Sequence, residues 1–325
     1  MSATLEQAAR SDAAAIAGPG AGSIWADACV ETFGLREARI EVEGGTAELA
    51  HLGGRLDLVG PGQLFEPSDL TCRDDVSRER LVDVIAGTRR PLALRRIPAA
   101  SPTIPAVRER FPIVLVRPAG SCPFIELDAG LDPEQALAKR RREDLRRAAR
   151  RADKCGGADV VVHEPDEAEA PDLLERAFAV EAGSWKGRTG TALVHDARRA
   201  DFYRRYGAAA AATGSLRVAL LELGGEPAAM QIAVEEDGAL WLLKIGYDER
   251  FAQASPGQLL MLETLRWAAA RGLERYEFLG MAAPWTRTWT LYERYCSAVY
   301  AYPASPRGAV RLGGDVAGRV ARRRR

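Results

Sequence analysis

The chain has 325 residues, and its 45 Lys and Arg balance 45 Asp and Glu, so no overall field calls for a polyanionic partner. Five cysteines (Cys29, Cys72, Cys122, Cys155, Cys296) lie scattered without C-x-x-C spacing, which argues against a disulfide framework and for a reducing compartment. The length suits two medium domains, and no stretch approaches the roughly 18 apolar residues that a spanning helix needs, so a soluble cytoplasmic protein is expected.

Residues 1–22, rich in Ala and Gly, read as a mobile arm, with acidic residues where a signal peptide would be positive. Between 38 and 59, Glu41-Val42-Glu43 and the run 46–52 flank Gly44-Gly45, a turn dipeptide suited to positive φ, which predicts a hairpin. The arrangement returns at 216–234 around Gly224-Gly225. The echo suggests two related halves, 23–130 and 131–303, although Gly-Gly hairpins are common. Prolines punctuate 95–112, exclude a regular helix there and favour extended segments. A short strand at 124–127 precedes a helix opening at Asp132-Pro133, with Asp as N-cap and Pro at the first helical position.

Along that helix Leu137, Leu145, Ala148, Ala149 and Ala152 recur at helical spacing, and Lys139, Arg140, Arg142, Arg146, Arg147, Arg150 and Arg151 make one flank basic. Such a flank suits a nucleic acid or another anionic polymer. A solvated helix face is the alternative, since Glu143, Asp144 and Asp153 interrupt the run and no aromatic residue interleaves for base stacking. The tail 304–325, ending in four arginines, reads as a nonspecific polycation.

From 216 the pattern becomes consecutive: strands 216–223, 228–235 and 239–246, a helix 257–271, and a strand 276–281. Asp237-Gly238 supplies the second hairpin turn, and the nearly continuous apolarity of ALWLLKIG predicts a central strand. Ser255 stands as N-cap and Pro256 at the first helical position, with the helix stopping at Gly272. The crossover is right-handed, so the helix begins at the carboxyl end of the strand before it, where ligands favour binding. Its first turn carries unpaired N–H groups and partial positive charge, and Gly257 lets an anion come close. Ser-Pro-Gly by itself is also an ordinary capped helix start.

In PDLLERAFAVEAGSWKG, Leu174, Phe178, Glu181 and Trp185 share a stripe. A desolvated Glu181 would be raised toward a useful general base. Alternatively it forms a structural ion pair with Lys186 or Lys244. Lys244, in an apolar strand, needs a partner or a wet cavity. Tyr247 is a candidate acid or a packing residue, and Asp248 flanks the same strand end. Tyr203 and Tyr206 read as core or rim residues, and Glu277 as half of a structural pair. His51, His163 and His195 lack metal-ligand spacing, so no metal is expected. No G-x-S-x-G elbow points to a covalent hydrolase.

The order of strands, turn, helix and following strand resembles the GNAT superfamily of acyl-CoA acyltransferases. The run KIGYDERFAQASPGQLL (244–260), with YEFLG (276–280) and EAGSWK (181–186), resembles the branch associated with bacterial cellulose and polysaccharide biosynthesis. CPFIEL (122–127) and RRREDLRR (140–147) also fit that branch. The resemblance implies an α/β fold of two GNAT-like halves, each a mixed central sheet flanked by helices. It implies acetyl-CoA or another acyl-CoA as co-substrate and direct transfer to an amine or hydroxyl of a small-molecule or saccharide acceptor. In that family the sheet splays before the turn, the pantetheine arm enters the opening, and the pyrophosphate meets what is here Ser255, Pro256, Gly257 and Gln258. The catalytic candidates are Glu181, Lys186, Lys244, Tyr247 and Asp248. The related Fem-type peptidyltransferases take aminoacyl-tRNA instead, which would give the basic helix a use.

One departure stands out. Where the branch has acidic residues and then a Tyr-Lys pair, this chain has Ala282-Ala283-Pro284-Trp285-Thr286. Threonine occupies the lysine position, and Arg287 beside it points elsewhere. A degenerate fold serving as a binding or assembly subunit of a polysaccharide-export system is therefore a third reading. Acyl transfer from a thioester needs a deprotonated acceptor, an acid for the thiolate and donors for the oxyanion. If Glu181 is the base, Glu181→Gln abolishes turnover and leaves acyl-CoA binding intact; unchanged steady-state turnover removes it from the mechanism.

Overall fold

The computed structural model describes residues 18–130, 132–184, 190 and 192–323. Most of the expected arm, residues 1–17, lies outside them, while Gly18–Ala21 form a single 3₁₀ turn. The chain groups into two units, one of residues up to Cys122 and from Glu293 onward, the other Pro123–Tyr292. These boundaries differ from those expected at 130 and 303, because the strand beginning at Glu293 belongs to the first unit.

The first unit opens with α1 (Ser23–Phe33), which stops at Gly34 in the left-handed region. After β1 (Arg36–Glu37) comes the expected hairpin, β2 (Ile40–Val42) and β3 (Gly45–Ala47), with Ile40 opposite Ala47 and Gly44 at φ 75°. The run 46–52 is two strands rather than one, since β4 (Leu49–Leu52) turns at Gly53-Gly54 to pair with β5 (Arg55–Leu58). β6 (Thr71–Cys72) leads to α2 (Asp75–Gly87), whose start is a capping box. Asp74 accepts from the Ser77 N–H, and the Ser77 hydroxyl oxygen accepts from the Asp74 N–H.

β7 (Leu92–Pro98) is followed by α3 (Thr103–Arg110), a helix inside the stretch expected to be extended. Pro102 precedes its first residue and Pro105 lies in its first turn, where a missing N–H removes no intrahelical bond. The Ser101 hydroxyl accepts from the Thr103 N–H to cap it. β8 (Ile113–Glu126) then runs from the first unit into the second.

The second unit begins with α4 (Pro133–Ala136), capped by Asp132, and α5 (Lys139–Lys154). A single helix was expected here. Leu137 instead takes an extended conformation between the two, and α5 buries Leu145, Ala148 and Ala152. Next come β9 (Ala158–His163), α6 (Ala170–Ala182), α7 (Ala197–Ala212), β10 (Leu216–Leu223), β11 (Glu226–Glu236), β12 (Ala239–Tyr247), α8 (Pro256–Ala270) and β13 (Arg275–Glu277). The chain returns to the first unit as β14 (Glu293–Tyr302) and ends in α9 (Pro306–Arg323), so the basic tail is helical from Pro306. Among the described residues, no helix is long and apolar enough to cross a membrane.

The first unit's main sheet has the order β1-β4-β5-β7-β14-β8. Its β5/β7 pair is parallel, and β1/β4, β4/β5 and β7/β14 are antiparallel. Leu58, Leu81, Ile85, Leu94 and Val299 fill its core. In the second unit the order is β9-β10-β11-β12-β13 and then the end of β8. Every pairing is antiparallel except β12/β13. The two hairpin turns fall where the sequence placed them, with Gly224 and Gly225 at φ 59° and 85°, and Asp237 and Gly238 at 51° and 69°. Each unit is therefore a mixed sheet flanked by helices.

Two irregularities shape β12. Lys244 lies opposite Ile232 on β11 and Leu242 opposite Ala233, so Leu243 is an extra residue, a bulge. Pairing with β13 is confined to Ala239, Leu240 and Trp241, which face Arg275, Tyr276 and Glu277. β12 continues to Tyr247 while the segment after β13 turns away at Leu279 and Gly280, both at positive φ. The expected strand 276–281 is cut short for that reason, and the sheet opens.

α8 packs its Met261, Leu262 and Leu265 against Leu240 and Leu242 of β12. Leu265→Ala, at a site 1 % exposed, should cost about 3 kcal/mol, measured as a lowered midpoint in urea unfolding.

Candidate functional site

The opening between the end of β12 and the segment after β13 is a cavity of 540 Å³, lined by Gln231, Tyr247, Gly257, Gln258, Phe278 and Trp285 among others. Its volume and mainly apolar walls suit a flexible organic ligand. Beside it, a basin of 270 Å³ is bounded by Arg141, Arg147 and Arg151 of α5 and by Ser255 and Gln258. Gln258 borders both, so the two spaces adjoin at the start of α8.

That start departs from an ordinary cap. Ser255 has φ 52°, ψ 50°, and its side chain makes no capping hydrogen bond. A left-handed serine is strained, and such strain persists only where surrounding structure imposes it. Here the 3₁₀ helix Glu249–Ala254 ends at Ser255, whose N–H donates to Ala252, and Pro256 immediately opens α8. The Ser255 carbonyl accepts from the N–H groups of Gln258 and Leu259, at 3.0 and 3.3 Å. Pro256 has no N–H, so Gly257 carries the one first-turn N–H without a protein acceptor among the described residues. It stands at the helix start beside the Ser255 hydroxyl, where unpaired N–H groups and partial positive charge favour an anion in general.

Arg141 supplies charge from α5. Its guanidinium donates to the Gln258 side-chain oxygen and lies 4.6 Å from the centre of the Trp289 ring. Its Nε is buried without a partner among the described residues. Burial draws its pKa below the usual arginine value, with Asp144 opposing, yet the group stays charged at neutral pH. A partly desolvated cation of this kind favours an incoming anion. Arg151 donates to the Gln253 carbonyl, and Arg147 pairs with Asp144. The sequence raised the basic flank of α5 but not its position against α8.

Glu181 is fully buried, as its place on the apolar stripe predicts. Its Oε2 accepts from the Leu193 N–H at 2.9 Å, and its Oε1 lies 3.5 Å from the Lys244 Nζ. Lys244 also stands 5.4 Å over the Tyr203 ring. Of the alternatives open for Glu181, the ion pair with Lys244 is thus present, and it ties α6 to β12. Neither residue lines the cavity or the basin. Asp248 caps the 3₁₀ helix through the Arg250 N–H and pairs with the Arg250 guanidinium, each at 2.9 Å. Tyr247 does face the cavity. Pro256 is buried beneath the turn. Lys186 and Trp185 lie outside the described residues.

Thr286, at the unusual position, is 2 % exposed. Its hydroxyl donates to the Ala283 carbonyl at 2.8 Å and accepts from the Ala283 N–H at 3.0 Å, shaping the short helix that presents Trp285 and Trp289. The sequence reading missed Gln231, a buried amide on the cavity wall whose oxygen accepts from the Tyr276 hydroxyl at 2.9 Å. Burial pushes that phenol's pKa up. A lone Gln within AAMQIAV was the available signal.

Residues 139–287 match the family described as the acetyltransferase (GNAT) domain, a span that holds Arg141, Gln231, Tyr247, Ser255, Gly257 and Gln258 and stops short of Trp289. No curated protein matches the chain. Among solved structures, it is similar to the C-terminal DUF2156 domain of a chain described as a lysylphosphatidylglycerol synthetase from Agrobacterium fabrum (11 % identity, TM-score 0.58, covering 90 % of this chain and 91 % of that one). It is also similar to L-PGS from Bacillus licheniformis (13 %, 0.58, 88 % and 93 %) and to FemX (9 %, 0.58, 91 % and 95 %). At these identities the likeness shows the fold. The family match and the fold together support the GNAT superfamily and, in general terms, acyl transfer.

Two glycines of the site differ in what they tolerate. A Cβ on Gly246 would meet Glu181 Cα at 3.0 Å, whereas one on Gly257 would lie 3.6 Å from the Tyr247 ring. Gly246→Ala should cost about 1–3 kcal/mol by pushing α6 from β12, and Gly257→Ala should leave stability within about 0.5 kcal/mol. Thermal unfolding of the two variants checks the contrast.

Proposed function

We propose that the chain is an acyl-CoA-dependent acyltransferase that passes the acyl group directly from thioester to an amine or hydroxyl. The observation that carries this is the junction at Gln258 of an apolar cavity and an arginine-rimmed basin, at a helix start with an unpartnered N–H. A pantetheine-like arm fits the cavity, and a pyrophosphate fits the Gly257 N–H, the Ser255 hydroxyl and Arg141. Tyr247, which lines the cavity, is the candidate acid for the departing thiolate. Glu181 and Lys244 hold the carboxyl end of β12 in position. The acceptor is a saccharide or other small molecule, a choice supported by the resemblance of 244–260 to polysaccharide-associated relatives, and the work is cytoplasmic.

A second reading, aminoacyl transfer from tRNA, is favoured by the exposed arginines of α5, such as Arg140 and Arg150. The structural capping role of Thr286 keeps a third reading, a binding subunit without turnover, in view. A thermal-shift panel of CoA, acetyl-CoA, longer acyl-CoAs and dephospho-CoA tests the donor, because a ligand that binds the native state raises its melting temperature. Acyl-CoAs should raise the midpoint, and Arg141→Ala should weaken their binding about tenfold, or ~1.4 kcal/mol. No shift with any member sinks the donor assignment. Product from charged tRNA alone selects the second reading, and binding without thioester cleavage selects the third.

A further inference from the structure

The first unit contains a second cluster of reactive groups, unrelated to the cavity above. Cys122 on β8 and Cys296 on β14 lie on adjacent strands, with their thiols in hydrogen-bond contact. Arg96 reaches them from β7, on the other side of β14. It is 2 % exposed, and its Nη2 lies 3.1 Å from the Cys122 sulfur.

Arg96 is itself held in a strained conformation at φ 53°. Its other nitrogen donates to the Phe65 carbonyl, and its guanidinium sits 4.4 Å from the Phe65 ring centre. A buried cation fixed this firmly against sulfur stabilises a thiolate. The hydrogen bond from Cys122 and the Arg96 charge draw the Cys296 thiol down, against burial and the Glu66 carboxylate. Cys122 is pushed up in turn by its bond to Cys296 and by burial. Cys296, with Arg117, Ser121 and Tyr295, lines a depression of 570 Å³, and Cys122 is absent from that lining. Both residues are buried, each 4 % exposed, and of the two it is Cys296 that borders the depression.

We propose that Cys296 and Cys122 form a peroxide-reactive dithiol, with Cys296 as the attacking thiolate and Cys122 as the resolving thiol. The Cys296 sulfur attacks one oxygen of a hydroperoxide. An S–O bond forms, the O–O bond breaks, and the departing oxygen takes up a proton to leave as water or an alcohol. Sulfur is oxidised by two electrons to the sulfenic acid, and the peroxide is reduced by two. Cys122 then attacks that sulfur, forming the S–S bond and breaking S–O, and the hydroxyl leaves as water with the Cys122 proton. The product joins β8 to β14 covalently. A thiol reductant reverses it.

Cys155, exposed, and Cys29, fully buried with its thiol pushed up by burial, are internal controls. The full chain is treated with stoichiometric hydrogen peroxide, free thiols are blocked, and peptides are read by mass spectrometry. A Cys122–Cys296 linked peptide should appear at least about tenfold faster than any oxidation of Cys155. In Cys122→Ser, dimedone should trap a sulfenic acid at Cys296; in Cys296→Ser, it should trap none at Cys122. Oxidation of Cys155 ahead of the pair, or trapping at Cys122 in Cys296→Ser, overturns the proposal. The wild-type measurement stands on its own should either variant fail to fold.

Discussion

One extra residue in β12 governs the second unit. Leu240 and Leu242 pack toward α8, and strict alternation would send Lys244 to the same side. The bulge at Leu243 changes the phase. Ile245 takes over the α8 side, and Lys244 meets Glu181 of α6 and the Tyr203 ring of α7. A bulge also increases local twist and bends its strand. It lies just past the last β12/β13 pair, at Trp241 and Glu277. The cavity is the space left where β12 diverges, with its free end held by β11 on one side and by the Glu181–Lys244 pair behind.

Two demands then meet at the start of α8. The left-handed Ser255 lets the 3₁₀ helix and α8 succeed each other without a spacer, and it leaves the Gly257 N–H unused. α5 packs against α8 through Leu145, among the residues around Met261 and Leu265. Its basic flank is thereby brought over the same turn. Arg141 is the residue that both halves of this packing fix, through Gln258 and the Trp289 ring. The charge of α5 is therefore neither wholly solvated nor spread evenly: part of it forms a rim.

The first unit solves a different problem with the same materials. β14, which arrives after the whole second unit, is inserted between β7 and β8. That insertion places Cys296 beside Cys122 and lets Arg96 reach both. The scattered cysteines, which argue for a reducing compartment by their spacing, are two of them neighbours in space.

The sequence by itself determined the elements whose limits are local. A tight hairpin turn requires positive φ, which Gly224-Gly225 and Asp237-Gly238 adopt readily, so both hairpins were legible, as was the start of α8 at Pro256. The stripe through Leu174, Phe178 and Glu181 buried Glu181 as its period required. Tertiary structure decided what depends on contacts far apart in the chain. The helix α3 forms despite its prolines because both fall where no intrahelical N–H is needed. Lys244 chose Glu181, 63 residues away, only through a bulge that alternation does not reveal. Arg141 found Gln258 across 117 residues. Such pairings are fixed by the packing of whole elements, and a single sequence carries their parts without their register.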